Sequence, residues 1–422
     1  MLDLFQSFIK IPSPSGNERA FADVLIARLL AMGLTVTEDD AGSRFGGNTG
    51  NILAVLESSM NGSGASVHAE KGGASVSQNM RGGDEVAPSH EEIASSDIEG
   101  AGSKAACSEN MTGGAAACHI PDSVMFTAHM DRVPGGDRIN VRFQPDGRLT
   151  SDGQSILAAD DVAGVCAILK GVERVILSGR PHGRVELLFT VSEEYELLGS
   201  RNLDTSKIQS KTAYCMDSSG RIGRVIIAAP AIDHINITIR GKSAHAGAEP
   251  EKGINAIKLA AKFLAGVRDG RLDHESTANY GIIRGGNATN IICDTVEITG
   301  EARSRDEKKL KEYEAYAEQF LKDTLSGTGA SYDFTVDENH GAFAVDKDST
   351  AVRRITEAME RIGVSPVAEA GGGGMDANIL NEKGITTVGV ATGYMKNHTF
   401  GEELFINDMH KAAELVETLI CP

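Results

Sequence analysis

Tryptophan is absent from the 422 residues, and aromatic residues of all kinds make up only 5%. A platform for stacking bases or sugar rings is therefore not expected. Cysteines number six, and none forms a Cys-x-x-Cys pair, which disfavours a thiolate metal site or a dithiol redox centre. Scattered thiols suit a reducing compartment, so a cytoplasmic location is expected. Basic residues are in deficit: 41 Lys and Arg face 59 Asp and Glu, a formal charge of −18. That balance argues against nucleic acid or an anionic membrane as partner, since both attract basic patches. Long apolar runs are missing too, and none approaches the ~20 residues needed to span a bilayer. The opening stretch MLDLFQSFIKIPSPSG has neither a charged leader region nor a long apolar core, so no signal peptide is expected.

What is present is 41% apolar residues, enough for a sizeable core, in a length that suggests two or three domains. One segment stands apart. Residues 61–120 hold 10 Gly, 11 Ala and 9 Ser, with no Leu and no aromatic residue. Such a stretch cannot bury enough apolar surface to offset its ordering entropy and reads as a flexible insertion joining two strands. Its His68, His90 and His119 lack regular spacing and read as solvated loop histidines.

Elsewhere helical and strand patterns alternate. Residues 17–32 place Phe21, Val24, Leu25, Leu29 and Met32 at helical spacing, with Gly33 as the stop. VELLFTV (185–191), AYCMD (213–217) and TTVGVA (386–391) are continuous apolar runs, as in strands covered on both faces. From about 229 the texture changes. HINITIR (234–240) alternates strictly, as in a half-exposed antiparallel strand, and charged amphipathic helices follow. The fold class expected is α/β, a mixed sheet flanked by helices, with an inserted α+β domain. The boundaries are 1–228 and 341–422 for the first domain and 229–340 for the insert.

Hard ligands gather at the ends of the apolar strands. FTAHMDRV places His129 and Asp131 just past one run. Residues two apart in a strand share a face, so the aspartate can orient the imidazole through its second nitrogen. Taken alone, the pair also reads as a histidine beside a surface aspartate. SILAADDVAG sets Asp160 and Asp161 among small apolar residues, where adjacent carboxylates are costly unless a cation neutralises them. An N-cap pair for the next helix is the other reading. VSEEYELL supplies Glu193 and Glu194 at the carboxyl end of a strand, where open α/β sheets bind ligands. Successive residues point in different directions, so one glutamate can bind metal while its neighbour stays free as a base. AYCMD ends on Asp217, and NHTFGE supplies His398. Two histidines and several carboxylates suit zinc.

The ordered set HMD, AADD, SEE, AYCMD and NHTFGE resembles the di-zinc peptidase superfamily of peptidase T, carboxypeptidase G, dipeptidases and aminoacylases. Peptidase T-like enzymes are the nearest match, over nearly the whole chain except 61–120. The resemblance implies two Zn2+ per subunit, with Co2+ or Mn2+ also accepted by such ligands. Asp160 would bridge them, His129 and Asp217 would complete one site, and Glu194 and His398 the other. Asp131 would orient His129, and Asp160 would join Asp161 through a cis peptide. Glu193 would be the general base for attack by a hydroxide shared between the metals. The insert matches the family's lid and dimerisation domain, implying a homodimer. There His245 would steady the tetrahedral intermediate, and Asn290 and Arg303 would clamp a substrate carboxylate. GGGGMDAN (371–378) resembles a glycine-rich loop beside the site. Departures are Val162 where a Lys is usual, Cys293 for Pro, and Met375 for Ser or Thr. The function implied is a zinc exopeptidase acting on short peptides, most like a tripeptide aminopeptidase. Alternatives are a carboxypeptidase or N-acyl-amino-acid amidohydrolase of the same superfamily, or a non-catalytic binding protein on its scaffold.

Overall fold

The computed structural model describes residues 1–59, 120, 123–136 and 138–422. The expected insertion at 61–120, with its three histidines, lies outside these residues except for Ile120. Among the described residues a nine-stranded mixed sheet forms the larger layer. Its centre is parallel: Ser123–His129 lies between Arg184–Thr190 and Thr212–Ser218, and Thr386–Ala391 follows. Ile52–Leu56 and Arg224–Ala229 flank this centre in antiparallel pairing.

These central strands read as continuous apolar runs because both faces are covered. Alternation sorts their side chains. Val124, Phe126 and Ala128 enter the main core with Leu187 and Phe189, under the helices Ala159–Ser178 and Ile406–Ile420. Met125, Leu188 and Ala213 face the other way, onto a smaller cluster with Leu380 of helix Asp376–Glu382. The early helix spans Arg19–Ala31 and buries Phe21, Ala22, Leu25 and Leu29. Val24, expected on its apolar face, is instead exposed. Gly33, with φ of 85°, makes the turn after it.

The parallel strands end together at His129, Thr190, Ser218 and Ala391. Loops leaving a shared sheet end converge, which concentrates polar side chains there. A small sheet folds the C-terminal loop back toward this end, with Glu403–Phe405 lying between Tyr394–Met395 and Arg148–Thr150.

Between Ala231 and His340 five antiparallel strands form a second sheet. Ile235, Ile237 and Ile239 are buried on one face, against Leu259 and Phe263 of helix Ala256–Gly266 and Leu321 of Glu307–Leu325. Asn255 and Asp306 cap these helices by accepting backbone N–H bonds from Lys258 and from Lys308 and Lys309. Two strands, Ser276–Gly285 and Ser331–His340, were not expected: the first is mostly exposed, while the second carries an alternation of Tyr332, Phe334 and Val336 against the core that sequence reasoning missed. Among the described residues no helix is long and apolar enough to cross a membrane.

Candidate active site

Asp160 stands at the centre of the shared sheet end. Its Oδ1 is 3.0 Å from His129 Nε2, and its Oδ2 is 3.2 Å from His398 Nε2. One carboxylate thus faces two imidazoles, one through each oxygen. Asp217 Oδ1 lies 3.8 Å from His129 Nε2, and Glu194 Oε1 lies 2.8 Å from His398 Nε2. Glu193 lines the same cleft of about 210 Å³, together with the glycine loop 371–374. The five residues named as ligands and the glutamate named as base are therefore brought together from three strand ends, the start of helix Ala159–Ser178 and one loop.

The electrostatics of this cluster are unbalanced. Burial, then the charge of Asp217, pushes the carboxyls of Asp161 and Glu193 well above the usual range. Asp217 is raised well above it too, by burial and by Asp160 and Glu194. Burial also opposes the charged form of Asp160, but bonds from His129 and His398 outweigh it and hold this carboxyl low. His398 is driven up to about 10 by Asp160 and Glu194. Glu194 Oε1 is buried and has no well-formed hydrogen bond, despite the close approach of His398. Both residues line the same cleft. A crowd of buried acids with two imidazoles is what a pair of divalent cations would neutralise, and the donor set fits one.

The surroundings hold these groups in place. His129 Nδ1 lies 2.9 Å from the main-chain oxygen of Asp131 and 3.4 Å from its carboxylate. The orienting contact foreseen from the Asp131 side chain thus falls chiefly to its carbonyl. Its carboxylate instead accepts the N–H groups of Glu193 (2.9 Å) and Glu194 (3.2 Å). Asp161 follows Asp160 through a cis peptide. It accepts the N–H of His129 at 3.3 Å and of Gly164 at 3.1 Å. A Cβ at Gly164 would sit 2.3 Å from the Asp161 carboxylate, so only glycine permits this approach.

Residues 229–328 match the M20 family model described as the peptidase dimerisation domain. The aminopeptidase PepT from Bacillus cereus ATCC 10987 is 32% identical, with 99% of this chain and 96% of that one aligned at a TM-score of 0.77. The chain belongs to the M20 peptidase family. A tripeptidase from Staphylococcus aureus subsp. aureus Mu50 is 28% identical over the same shares, at a TM-score of 0.81. The uncharacterized protein YqjE of Bacillus subtilis strain 168 is 36% identical across 71% of this chain and 80% of its own. Membership makes the protein a metallopeptidase, a hydrolase of peptide bonds.

Within this M20 peptidase the three residues expected to contact substrate lie apart from the cleft's lining. His245 and Asn290 are exposed neighbours on the inserted unit, where the Ala246 N–H donates to the Asn290 oxygen at 3.0 Å. Arg303 is half-buried and forks onto Glu301, with bonds of 2.8 and 3.0 Å. Sequence reasoning also missed several supports. Glu402 is buried and accepts four successive N–H groups, of Leu157 to Asp160, at 2.8–3.0 Å. Burial pushes its carboxyl up to about 7. Asn397 donates to Asp160 Oδ2 at 2.7 Å, and the Tyr394 hydroxyl to Asp217 Oδ1 at 2.8 Å. Glu402 and Asn397 stand inside the quoted NHTFGE motif, so the signal for them was present but unassigned. Nothing in sequence spacing links Tyr394 to Asp217.

A larger cleft of about 560 Å³ lies between helix Glu307–Leu325 and helix Asp376–Glu382. Its charges already neutralise one another: Lys311 pairs with Asp233 at 3.0 Å and with Glu338 at 2.7 Å. It offers no comparable concentration of unneutralised ligands.

Proposed function

We propose that this M20 peptidase is a zinc-dependent exopeptidase of short peptides, most like a tripeptide aminopeptidase. The observation that carries the reading is the single Asp160 carboxylate facing His129 through one oxygen and His398 through the other. His129 and Asp217 would hold one ion, Glu194 and His398 the second, and Asp160 both. Mixed imidazole and carboxylate donors suit zinc, while cobalt or manganese would also be accepted. When bound, such a pair supplies Lewis acidity, polarising the scissile carbonyl and acidifying the attacking water. Glu193, which lines the cleft beside these ligands, would take the proton from the attacking water and return it to the departing amine. The likeness to an aminopeptidase and a tripeptidase supports an unblocked N-terminus on the substrate.

The same reading treats 229–340 as a lid and dimerisation domain and 1–228 with 341–422 as the catalytic domain. Exposed His245 and Asn290 then have a use in a homodimer, where they would reach the partner's substrate, and Arg303 would meet the substrate carboxylate. The cytoplasm is the compartment assigned. The test compares Ala-Ala-Ala with its N-acetylated form, using wild type and Glu193→Ala. Cleavage of the free tripeptide alone, abolished in Glu193→Ala with metal content retained, is expected. Preferential cleavage of the acetylated form would make the protein an amidohydrolase, and normal turnover by Glu193→Ala would remove Glu193 as the base.

A further inference from the structure

The catalytic reading leaves several buried acids unused, among them Glu18, Glu186 and Asp376, and Glu18 is the one that grips the loop carrying the candidate base. Glu18 is 0% exposed and stands at the start of helix Arg19–Ala31, yet its side chain does not cap that helix. It reaches across to the loop after strand Arg184–Thr190. There Glu18 Oε1 accepts the Ser192 N–H at 2.9 Å, the Ser192 hydroxyl at 3.0 Å and the Gly16 N–H at 2.8 Å. The Gly16 N–H also donates to Ser192 Oγ at 2.9 Å, closing a ring of bonds around one residue. Among the described residues Glu18 Oε2 has no hydrogen-bond partner. An acid that is buried at such a cost and satisfied on one oxygen only has its position set by something other than its own stability.

The residue it grips is the hinge of the candidate base. Ser192 has φ of 49°, a left-handed conformation unfavourable for any residue with a Cβ. That turn directs the next two residues, Glu193 and Glu194, out of the strand. Their N–H groups are caught in turn by the Asp131 carboxylate. The same N-terminal segment braces Asp131, because the Ser15 hydroxyl donates to its Oδ2 at 2.6 Å. Segment 13–18, SPSGNE, thus touches both supports of the two glutamates.

We infer that Glu18 is a positioning residue for peptide hydrolysis, holding Ser192 in its left-handed turn so that the next residue, Glu193, faces the cleft as base. The inference rests on the reading of Glu193 as the base. Outward strain at a functional turn persists only where the surroundings over-determine it, and Glu18 supplies three of the four bonds in this ring. Misplacing a reacting group by about 1 Å can cost about 100-fold in rate.

The experiment measures kcat, KM, metal content after desalting and melting temperature for six variants on Ala-Ala-Ala, one of them the Ser192→Gly/Glu18→Ala double variant. Glu18→Ala is expected to lower kcat by about 100-fold with KM little changed and metal retained. Glu18→Gln keeps the Oε1 acceptor and should stay within about 3-fold of wild type, because the neutral bonds survive. Ser192→Gly adopts the turn without Cβ strain, so in that background Glu18→Ala should cost less than about 10-fold, a departure from additivity. Ser192→Val cannot hold the turn and should mimic Glu18→Ala, which keeps the test decisive if the latter does not fold. Full activity of Glu18→Ala or of Ser192→Val would overturn the inference, as would strictly additive losses in the double variant. If Glu193→Ala is itself active, the base assignment has failed. If Glu193→Ala is dead and Glu18→Ala is normal, only the positioning role has.

Discussion

The two sheets of this molecule treat charge in opposite ways. In the inserted unit, acids meet bases at the surface, as Lys309 does with Asp273 at 3.0 Å and with Glu275 at 2.6 Å. Its apolar side chains line one face and need no help from any ion. At the carboxyl end of the parallel sheet, Asp160, Asp161, Glu193, Glu194 and Asp217 are packed with two histidines. Burial raises most of these acids, and their mutual repulsion adds to it. The inserted sheet is organised for stability, whereas the sheet end holds a charge imbalance that a bound cation pair would relieve.

Breaking the charged end should give the largest effect. Replacing Asp160 with Ala removes the one group shared between both halves, so metal content should fall and activity drop by at least about 1,000-fold. Elemental analysis beside a peptide assay checks this, and full metal retention would refute the shared role. Exhaustive chelation of wild type should reproduce the loss, and added zinc should reverse it. A smaller effect is expected one step removed. Glu402→Ala frees four backbone N–H groups around Asp160 and should weaken metal binding by about 10–100-fold, read by competition with a chelator. An affinity equal to that of wild type would show that the loop holds its shape without Glu402.

The inserted sheet should respond in the reverse sense. Ile237 is 1% exposed and central to that core. Ile237→Ala should cost about 2–5 kcal/mol of stability by denaturant unfolding, while the folded fraction keeps its metal. Loss of metal in step with Ile237→Ala would mean that the two regions are less independent than their charge patterns suggest.

Legibility in the sequence followed the same divide. The inserted strand 234–240 was plain because alternation of Ile235, Ile237 and Ile239 is a local pattern with a period of two. The strand ends were plain because acids directly after apolar runs are rare and costly. Glu18 and Tyr394 were not legible as supports, because each acts over a long sequence separation, and Glu402, though inside a quoted motif, gave no sign of which backbone it would hold. Glu18 meets Ser192 and Tyr394 meets Asp217 only after the sheet has brought distant strand ends together. Val24 failed for a simpler reason: helical spacing marks a stripe, and packing decides how wide a part of it is covered.

The gentlest probe concerns a proton in the inserted unit. Glu314 lies on helix Glu307–Leu325 with its side chain 10% exposed, 3.3 Å from Lys311. Burial, then its hydrogen bond and repulsion with Asp233, raises its carboxyl from the ordinary 4.5 to about 7, although Lys311 pulls it down. The folded chain therefore keeps a proton that the unfolded chain releases between these two values. By linkage, this contribution to stability is complete below pH 4.5, fades as pH rises, and is gone once pH passes about 7. Glu314→Gln keeps a neutral side chain at every pH and should flatten that part of the melting curve. The difference between variant and wild type should change by about 2 °C from pH 5 to 7.5, since each kcal/mol moves a chain of this length by about 1 °C. Metal-site titrations occur in both proteins and cancel in the difference. Parallel curves across the window would mean that Glu314 and Asp233 share no proton, and that this region handles its charge entirely through Lys311.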